Sequence, residues 1–313
     1  MTARPIRFGV QANPGAGARA WLDLAIKAED LGFDALYVAD HVGATASPFA
    51  ALSAAAAVTT TLRLGTYVLN CGIREPLDIA SDAATLDQLS GGRVVLGLGA
   101  GHTPAEWTMS GRSFPSARDR VGRLAETVPV VAALLQGEVV THRGRYLDLE
   151  EAALSAPRPV QAKIPLLVGG NGRELLRFAA TTADIVGLTG LGRTLADGHR
   201  HEIDWRATAI DERVAIVRAA AASASRSGDV TLDALVQHVE ITDRRDAAAE
   251  QMAGISPALT ADDVIAAPYA LVGTVDQLAD EVAAHETRWG ITSYVVRAAA
   301  IDLVAPLIER LRP

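Results

Sequence analysis

Cysteine is nearly absent: Cys71 is the only one in 313 residues, so no intramolecular disulfide can form and a cysteine-based zinc cage lacks its ligands. Lysine is almost as scarce, Lys27 and Lys163 being the only two among 29 basic residues. Against 37 acidic residues these leave a net charge of -8, which argues against a general nucleic-acid binder, because such a protein needs a basic face. A local anion site stays open, since salt screens the field of the whole molecule over about 8 Å. No apolar run approaches the roughly 20 residues that cross a bilayer. The first residues, MTARPIRFGVQANPG, show no apolar signal-peptide core. The expectation is a cytoplasmic protein with a small-molecule partner and neither a nucleic-acid nor a membrane partner.

What is present is a repeated alternation. With 49% hydrophobic residues, a chain this long can bury about three quarters of its unfolded surface. Apolar, β-branched runs at Ile6–Gln11, Ala35–Ala39, Leu62–Leu69, Val94–Gly99, Pro165–Val168, Ile185–Leu188, Leu235–Thr242 and Ser293–Val296 read as eight strands. Between and around them, Ala18–Leu31, Pro48–Thr60, Leu77–Leu89, Ala117–Leu135, Arg173–Thr182, Asp211–Ser225 and Val275–Thr287 have helical spacing. Strands apolar on both faces that alternate with helices indicate a parallel sheet. Eight such units without a linker predict one domain over 1–313, an α/β chain folded as a (β/α)8 TIM barrel. Two segments break the repeat: Gly137–Glu151 reads as an inserted hairpin around His142-Arg143-Gly144, and polar Leu191–Ile210 as a loop or lid.

In this architecture active sites lie at the C-terminal ends of the strands. Strand two ends in Asp40-His41: either the carboxylate orients an imidazole that exchanges protons near neutral pH, or Asp40 caps the next turn and His41 is merely exposed. Strand four ends Gly97-Leu98-Gly99-Ala100-Gly101-His102. Its glycines either let a flat ligand approach the backbone or serve backbone geometry alone, and no third glycine opens a helix as a dinucleotide fingerprint requires. Gly169-Gly170-Asn171-Gly172 leads into a helix. It reads as an anion cradle, or as an ordinary turn with Asn171 as N-cap, or as both. Thr66 and Tyr67 stand near the end of strand three as ligand contacts or core residues, Cys71 reads as a packed thiol, and His199 and His201 as solvated loop residues with no metal partner in view.

The order of FGV at strand one, Leu31-Gly32-Phe33-Asp34 before Ala39-Asp40-His41, Leu64-Gly65-Thr66, Leu89-Ser90-Gly91-Gly92-Arg93, Gly97-Leu98-Gly99-Ala100-Gly101, Val168-Gly169-Gly170 and Leu271-Val272-Gly273-Thr274 resembles the bacterial luciferase-like monooxygenase superfamily. It is most similar to the branch that uses the deazaflavin coenzyme F420. The resemblance implies an F420-dependent oxidoreductase that moves a hydride to or from deazaflavin C5. Asp40 would then meet the ring edge, and His41 would donate or accept the proton. A bulge in strand three, often with a non-prolyl cis peptide, would fall at Tyr67-Val68 beside Thr66, behind the ring. Ala100, Gly101, His102 and Gly169, Gly170, Asn171, Gly172 would hold the polar edge and the phosphate. The superfamily often forms dimers, which leaves a homodimer open.

One departure bears on the substrate. In the sugar-phosphate dehydrogenases of this superfamily a glutamate follows the strand-four glycines and lysines take the phosphate. Here His102 stands in that place, as a second acid/base group or as a pocket wall, and neither lysine lies at a strand end. An uncharged or weakly polar organic substrate is therefore expected. The competing readings are an FMN-dependent monooxygenase and a non-catalytic flavin-binding barrel. A metal-dependent hydrolase is disfavoured because no ligand set accompanies Asp40-His41, so no metal is expected.

Overall fold

The sheet has eight parallel strands, seven of them on the expected apolar runs: β1 Arg7–Gln11, β2 Ala35–Val38, β3 Arg63–Thr66, β4 Val94–Gly99, β5 Leu166–Gly169, β6 Ile185–Leu188, β7 Thr231–Leu235 and β8 Ile291–Arg297. The computed structural model describes residues 5–15, 17–194, 201–256 and 259–312. The fold is the expected closed (β/α)8 barrel, with at least one helix between successive strands. Among the described residues no helix is long and apolar enough to cross a membrane.

The described residues fall into two compact units. One comprises Ala12–Glu29 and Ala35–Gly169 and carries β2 to β5. In it Val38 stands opposite Thr66, Leu64 opposite Val94, and Leu96 opposite Leu166. Leu36, Leu64, Leu96, Leu98 and Leu167 are fully buried, each contributing roughly 1.5–3 kcal/mol. The turn Leu89–Arg93 ties the N-terminal end of β4 to its surroundings. Gly91 takes the left-handed conformation at φ 68° that ends the helix Pro76–Ser90. The Arg93 guanidinium donates to the carbonyls of Ser90, Leu62, Ala56 and Thr59 and to the Thr59 hydroxyl, at 2.7–3.1 Å. The LSGGR segment thus builds the scaffold at the end of the strand away from the chemistry.

The other unit comprises the described residues up to Gln11, Asp30–Asp34 and those from Gly170 onward, and carries β1, β6, β7 and β8. Phe8 pairs with Tyr294, their rings stacked at 5.5 Å, and Asp233 pairs with Ser293.

Several elements differ from the expectation. The third strand is not continuous over 62–69: it stops at Thr66, the Tyr67–Val68 peptide is cis, and the chain re-pairs at Leu69–Asn70, with Leu69 opposite Leu98. The seventh barrel strand is Thr231–Leu235. Its buried Asp233, satisfied by the Ser293 hydroxyl at 2.7 Å, interrupts the apolar run that would have marked it. His238–Ile241 instead pairs in parallel with Ala270–Gly273. A six-residue helix, Pro104–Met109, occupies what reads as loop. The hairpin expected at 137–151 is present as Val140–Arg143 against Asp148–Ala152. Glu126 pins its turn, accepting from the Arg145, Tyr146 and Leu147 amides at 3.0–3.1 Å. In the polar insertion Leu191–Thr194 pairs with His201–Ile203, so His201 lies on a strand, whereas His199 lies outside the described residues. The helix expected from Asp211 begins at Ala207.

Candidate functional site

At the end of β2 the chain buries a carboxylate. Asp40 is only 4% exposed, and an isolated charge there would be costly. It is matched by Arg74, whose Nε and Nη2 donate to Oδ2 and Oδ1, both at 2.7 Å, while the Asn70 amide donates to Oδ2 at 3.0 Å. The bond to Asp40 holds the Arg74 guanidinium above its ordinary range. Such a bidentate pair fixes geometry as well as charge, and here it clamps the segment after β3 to the end of β2.

The next residue, His41, pairs with a second buried carboxylate. His41 Nδ1 lies 2.7 Å from Glu106 Oε1. The other carboxylate oxygen of Glu106 accepts from Asn70 Nδ2 at 2.8 Å, and Asn70 Oδ1 accepts from the Gly72 amide at 2.9 Å. Burial by itself would raise the Glu106 carboxyl, but the bonds from His41, Asn70 and Thr103 outweigh it and hold the group below the ordinary range. Glu106 is therefore an ionised acceptor, and the short contact requires that His41 Nδ1 carry the hydrogen. The Thr45 hydroxyl accepts from the His41 amide at 3.0 Å and fixes the turn. The His41 side chain is 38% exposed, whereas that of Glu106 is 4% exposed. His102, exposed, sets its ring edge-on to His41 with centroids 5.7 Å apart.

Sequence reasoning finds Asp40, His41 and His102 but misses Glu106, Asn70 and Arg74. The short helix Pro104–Met109 supplies Glu106 in its first turn, where an acidic residue is ordinary. Nothing local announces its contact with a histidine 65 positions away.

The end of β3 backs this cluster. Thr66 is buried, its hydroxyl donating to the Gly97 carbonyl at 2.8 Å and accepting from the Gly97 amide at 3.0 Å, so it serves the β3–β4 contact. Tyr67 is buried edge-on to Tyr37 at 5.4 Å, and Val68, across the cis bond, is half-buried. The strand-four glycines are explained by close approach of backbone. A Cβ on Gly97 would lie 2.0 Å from the Thr66 carbonyl oxygen, one on Gly99 2.4 Å from Val68, and one on Gly101, at φ 71°, 2.1 Å from Asn70 Oδ1. Ala100 and Gly101 are half-buried, and the buried indole Nε1 of Trp107 has no protein partner.

Gly169 ends β5, and Gly170, Asn171 and Gly172 belong to the other unit. The Gly170 amide donates to the Gly187 carbonyl at 2.9 Å. Asn171 is not the helix N-cap: its side chain donates to the Leu191 carbonyl at 2.8 Å and accepts from the Thr189 amide at 3.3 Å. Gly172 holds the cap position of Arg173–Thr182, and a Cβ there would meet open space. The Cys71 thiol is fully buried and pushed up to about 12 by desolvation, as a packed thiol should be. Among the described residues no group of three or more His, Cys, Asp or Glu side chains could hold a metal.

Comparison with known proteins bears on this site. The family model described as luciferase-like monooxygenase matches residues 2–293. The F420-dependent glucose-6-phosphate dehydrogenase of Nakamurella multipartita is 36% identical over 193 residues, 59% of this chain and 56% of that protein. The match thus spans little more than half the length of that relative. Among solved structures, the coenzyme F420-dependent tetrahydromethanopterin reductase of Methanopyrus kandleri has a TM-score of 0.78 at 23% identity, covering 99% of this chain and 100% of that one. An F420-dependent secondary alcohol dehydrogenase in complex with an F420-acetone adduct has a TM-score of 0.77 at 21% identity, covering 99% and 100%. With its barrel, its strand-end cluster and a family match over nearly its whole length, the chain belongs to the luciferase-like monooxygenase family.

Proposed function

We propose that this chain is an F420-dependent oxidoreductase acting on an uncharged or weakly polar organic substrate, with His41 as the group that exchanges a proton with it. The reading is carried by the 2.7 Å pairing of His41 Nδ1 with Glu106, which assigns the proton exchange to Nε2. When bound, the deazaflavin supplies the hydride chemistry.

The residues fit such a group. Half-buried Val68, Ala100 and Gly101 offer apolar contacts for such a ring. The orphaned Trp107 indole marks a donor that the protein alone does not satisfy. With Thr66 bonded at both ends and Asp40 clamped by Arg74, we assign these two to supporting the ring's surroundings. His102 would close the pocket or act as a second acid/base group.

Lys27 lies within the first helix and Lys163 before β5, so neither stands at a C-terminal strand end where it would take a substrate phosphate. That supports an uncharged substrate, as does the neighbour of the same fold that holds an acetone adduct.

The test is an anaerobic titration of purified protein with F420 and, separately, with FMN, followed by turnover with reduced F420 on ketones, enones and glucose 6-phosphate. Saturable micromolar binding of F420, turnover on uncharged carbonyls, and a fall in kcat of roughly 100-fold or more in His41→Ala with F420 affinity nearly unchanged are expected. Saturation by FMN alone would favour the monooxygenase reading, and turnover on glucose 6-phosphate would remove the uncharged-substrate assignment. Tight F420 binding without hydride transfer to any acceptor would mark a non-catalytic barrel.

A further inference from the structure

The hydrogen bonds around His41 form a closed ring. Asp40 and His41 are joined by the peptide bond. His41 Nδ1 meets Glu106 Oε1 at 2.7 Å, Glu106 Oε2 accepts from Asn70 Nδ2 at 2.8 Å, and the Asn70 amide returns to Asp40 Oδ2 at 3.0 Å. Arg74 closes the remaining valence of Asp40 with two bonds of 2.7 Å. Every member except His41 is buried or mostly so, with Asp40, Asn70 and Glu106 only 2–4% exposed. The exposed ring is thus held by a buried frame, and the contact atom is fixed on one side of the imidazole.

We propose that Glu106 is a positioning residue: it fixes His41 in the tautomer whose Nδ1 carries hydrogen, presents Nε2 for proton exchange, and stabilises the imidazolium, with Asn70 orienting the carboxylate. The assignment rests on His41 being the proton-exchanging group. In the step, the Nε2–H bond breaks, its electron pair stays on nitrogen, and the proton goes to the substrate atom that gains negative charge. The Nδ1 hydrogen stays in place, and Glu106 remains ionised throughout.

The charges facing His41 set its balance. Glu106 stands at bonding distance and favours the cation, whereas His102 at 5.7 Å opposes it when protonated. Asp40 is adjacent in the chain, but its charge is matched by Arg74. Glu106 is thus the charged group at bonding distance from Nδ1. Replacing it with glutamine keeps the size but removes the charge. Its NH2 group must then face one of the two donors that the carboxylate now accepts from, His41 Nδ1 or Asn70 Nδ2.

The experiment uses the full chain without cofactor, labelled with 15N-histidine, and follows both ring nitrogens of His41 across pH. The His41→Asn variant identifies the signals. In the wild type, Nδ1 should stay protonated throughout while Nε2 titrates. In Glu106→Gln the midpoint should move to lower pH, with the protonated fraction at neutral pH falling roughly tenfold. The kcat with reduced F420 should fall in parallel, with KM nearly unchanged. Asn70→Ser, which leaves the Glu106 charge in place, should give an intermediate shift and serves if Glu106→Gln does not fold. Titration at Nδ1, or a midpoint unmoved in both variants, would overturn the assignment. Failure of the wild type to use F420, with the nitrogen pattern as expected, would remove the oxidoreductase reading and leave Glu106 in its role.

Discussion

Gly91 and Gly101 sit at nearly the same backbone angles, φ 68° and φ 71°, yet alanine meets different surroundings at the two. A Cβ on Gly91 finds nothing within 4 Å, whereas one on Gly101 lands 2.1 Å from Asn70 Oδ1. Gly91→Ala should therefore cost only the left-handed conformation, about 1–2 kcal/mol. Gly101→Ala adds the displacement of the Asn70 amide from Gly72 and Glu106, about 1–3 kcal/mol more for the bonds lost. Urea unfolding of the two variants measures the difference, and equal losses would show that Asn70 gives way freely. Gly101→Ala should also disturb the His41 nitrogen pattern, while Gly91→Ala leaves it intact. The spacing of the strand-four glycines leaves ligand approach and backbone geometry equally open. The structure shows why: the contacts that decide come from Thr66, Val68 and Asn70 on the neighbouring strand, which no local pattern reveals.

Among the elements, the Leu89–Arg93 turn carries a prediction about stability. Arg93 spreads five hydrogen bonds over Ala56, Thr59, Leu62 and Ser90, two of them on carbonyls at or just beyond the end of the helix Pro48–Ala56, where a cation is favoured. Lysine offers one ammonium in place of a planar fork. Arg93→Lys should lose two or more of these carbonyls and destabilise the protein by about 2–4 kcal/mol, read as a lower urea midpoint. F420 binding by the folded fraction should be unchanged, since the turn precedes β4; a comparable loss of affinity would place the segment in the site.

Elements with clean punctuation are legible in the sequence. β4 at Val94–Gly99, β6 at Ile185–Leu188 and the helix Arg173–Thr182 have the expected bounds, because Arg93 precedes the first run, Asp184 and Thr189 flank the second, and Gly172 opens the helix. β7 is not legible, because Asp233 sits inside it, bonded to a serine 60 residues away. The helix bearing Glu106 is too short to show a period. The cis bond at Tyr67–Val68 is indicated by family resemblance and by no property of those two residues. At the site, Asp40 and His41 are marked by their place at a strand end, but their partners are supplied by tertiary structure.

For the whole molecule, acid stability should fall in two stages. His285 is 2% exposed, with Nδ1 3.1 Å from the Tyr294 hydroxyl and Nε2 3.1 Å from the Ala266 carbonyl. A carbonyl only accepts, so Nε2 carries the hydrogen and Nδ1 accepts from tyrosine. Desolvation lowers this ring from 6.5 to about 4. Between those two values the unfolded chain takes a proton that the folded one refuses, so stability is complete above pH 6.5 and declines as the pH falls towards 4. The loss is about 3 kcal/mol by the end of that window. Glu29 acts lower down: burial would raise it, but bonds from the Thr60, Thr61 and Leu62 amides and the Thr61 hydroxyl hold it at about 2. Its contribution is present above 4.5 and lost as the pH falls to about 2. Glutamine at position 285 can donate to Ala266 and accept from Tyr294 without titrating. Urea unfolding of His285→Gln at a series of pH values should show a flatter profile between pH 6.5 and 4 and an unchanged fall below pH 4. Parallel curves for the variant and the wild type would place the first stage elsewhere in the molecule.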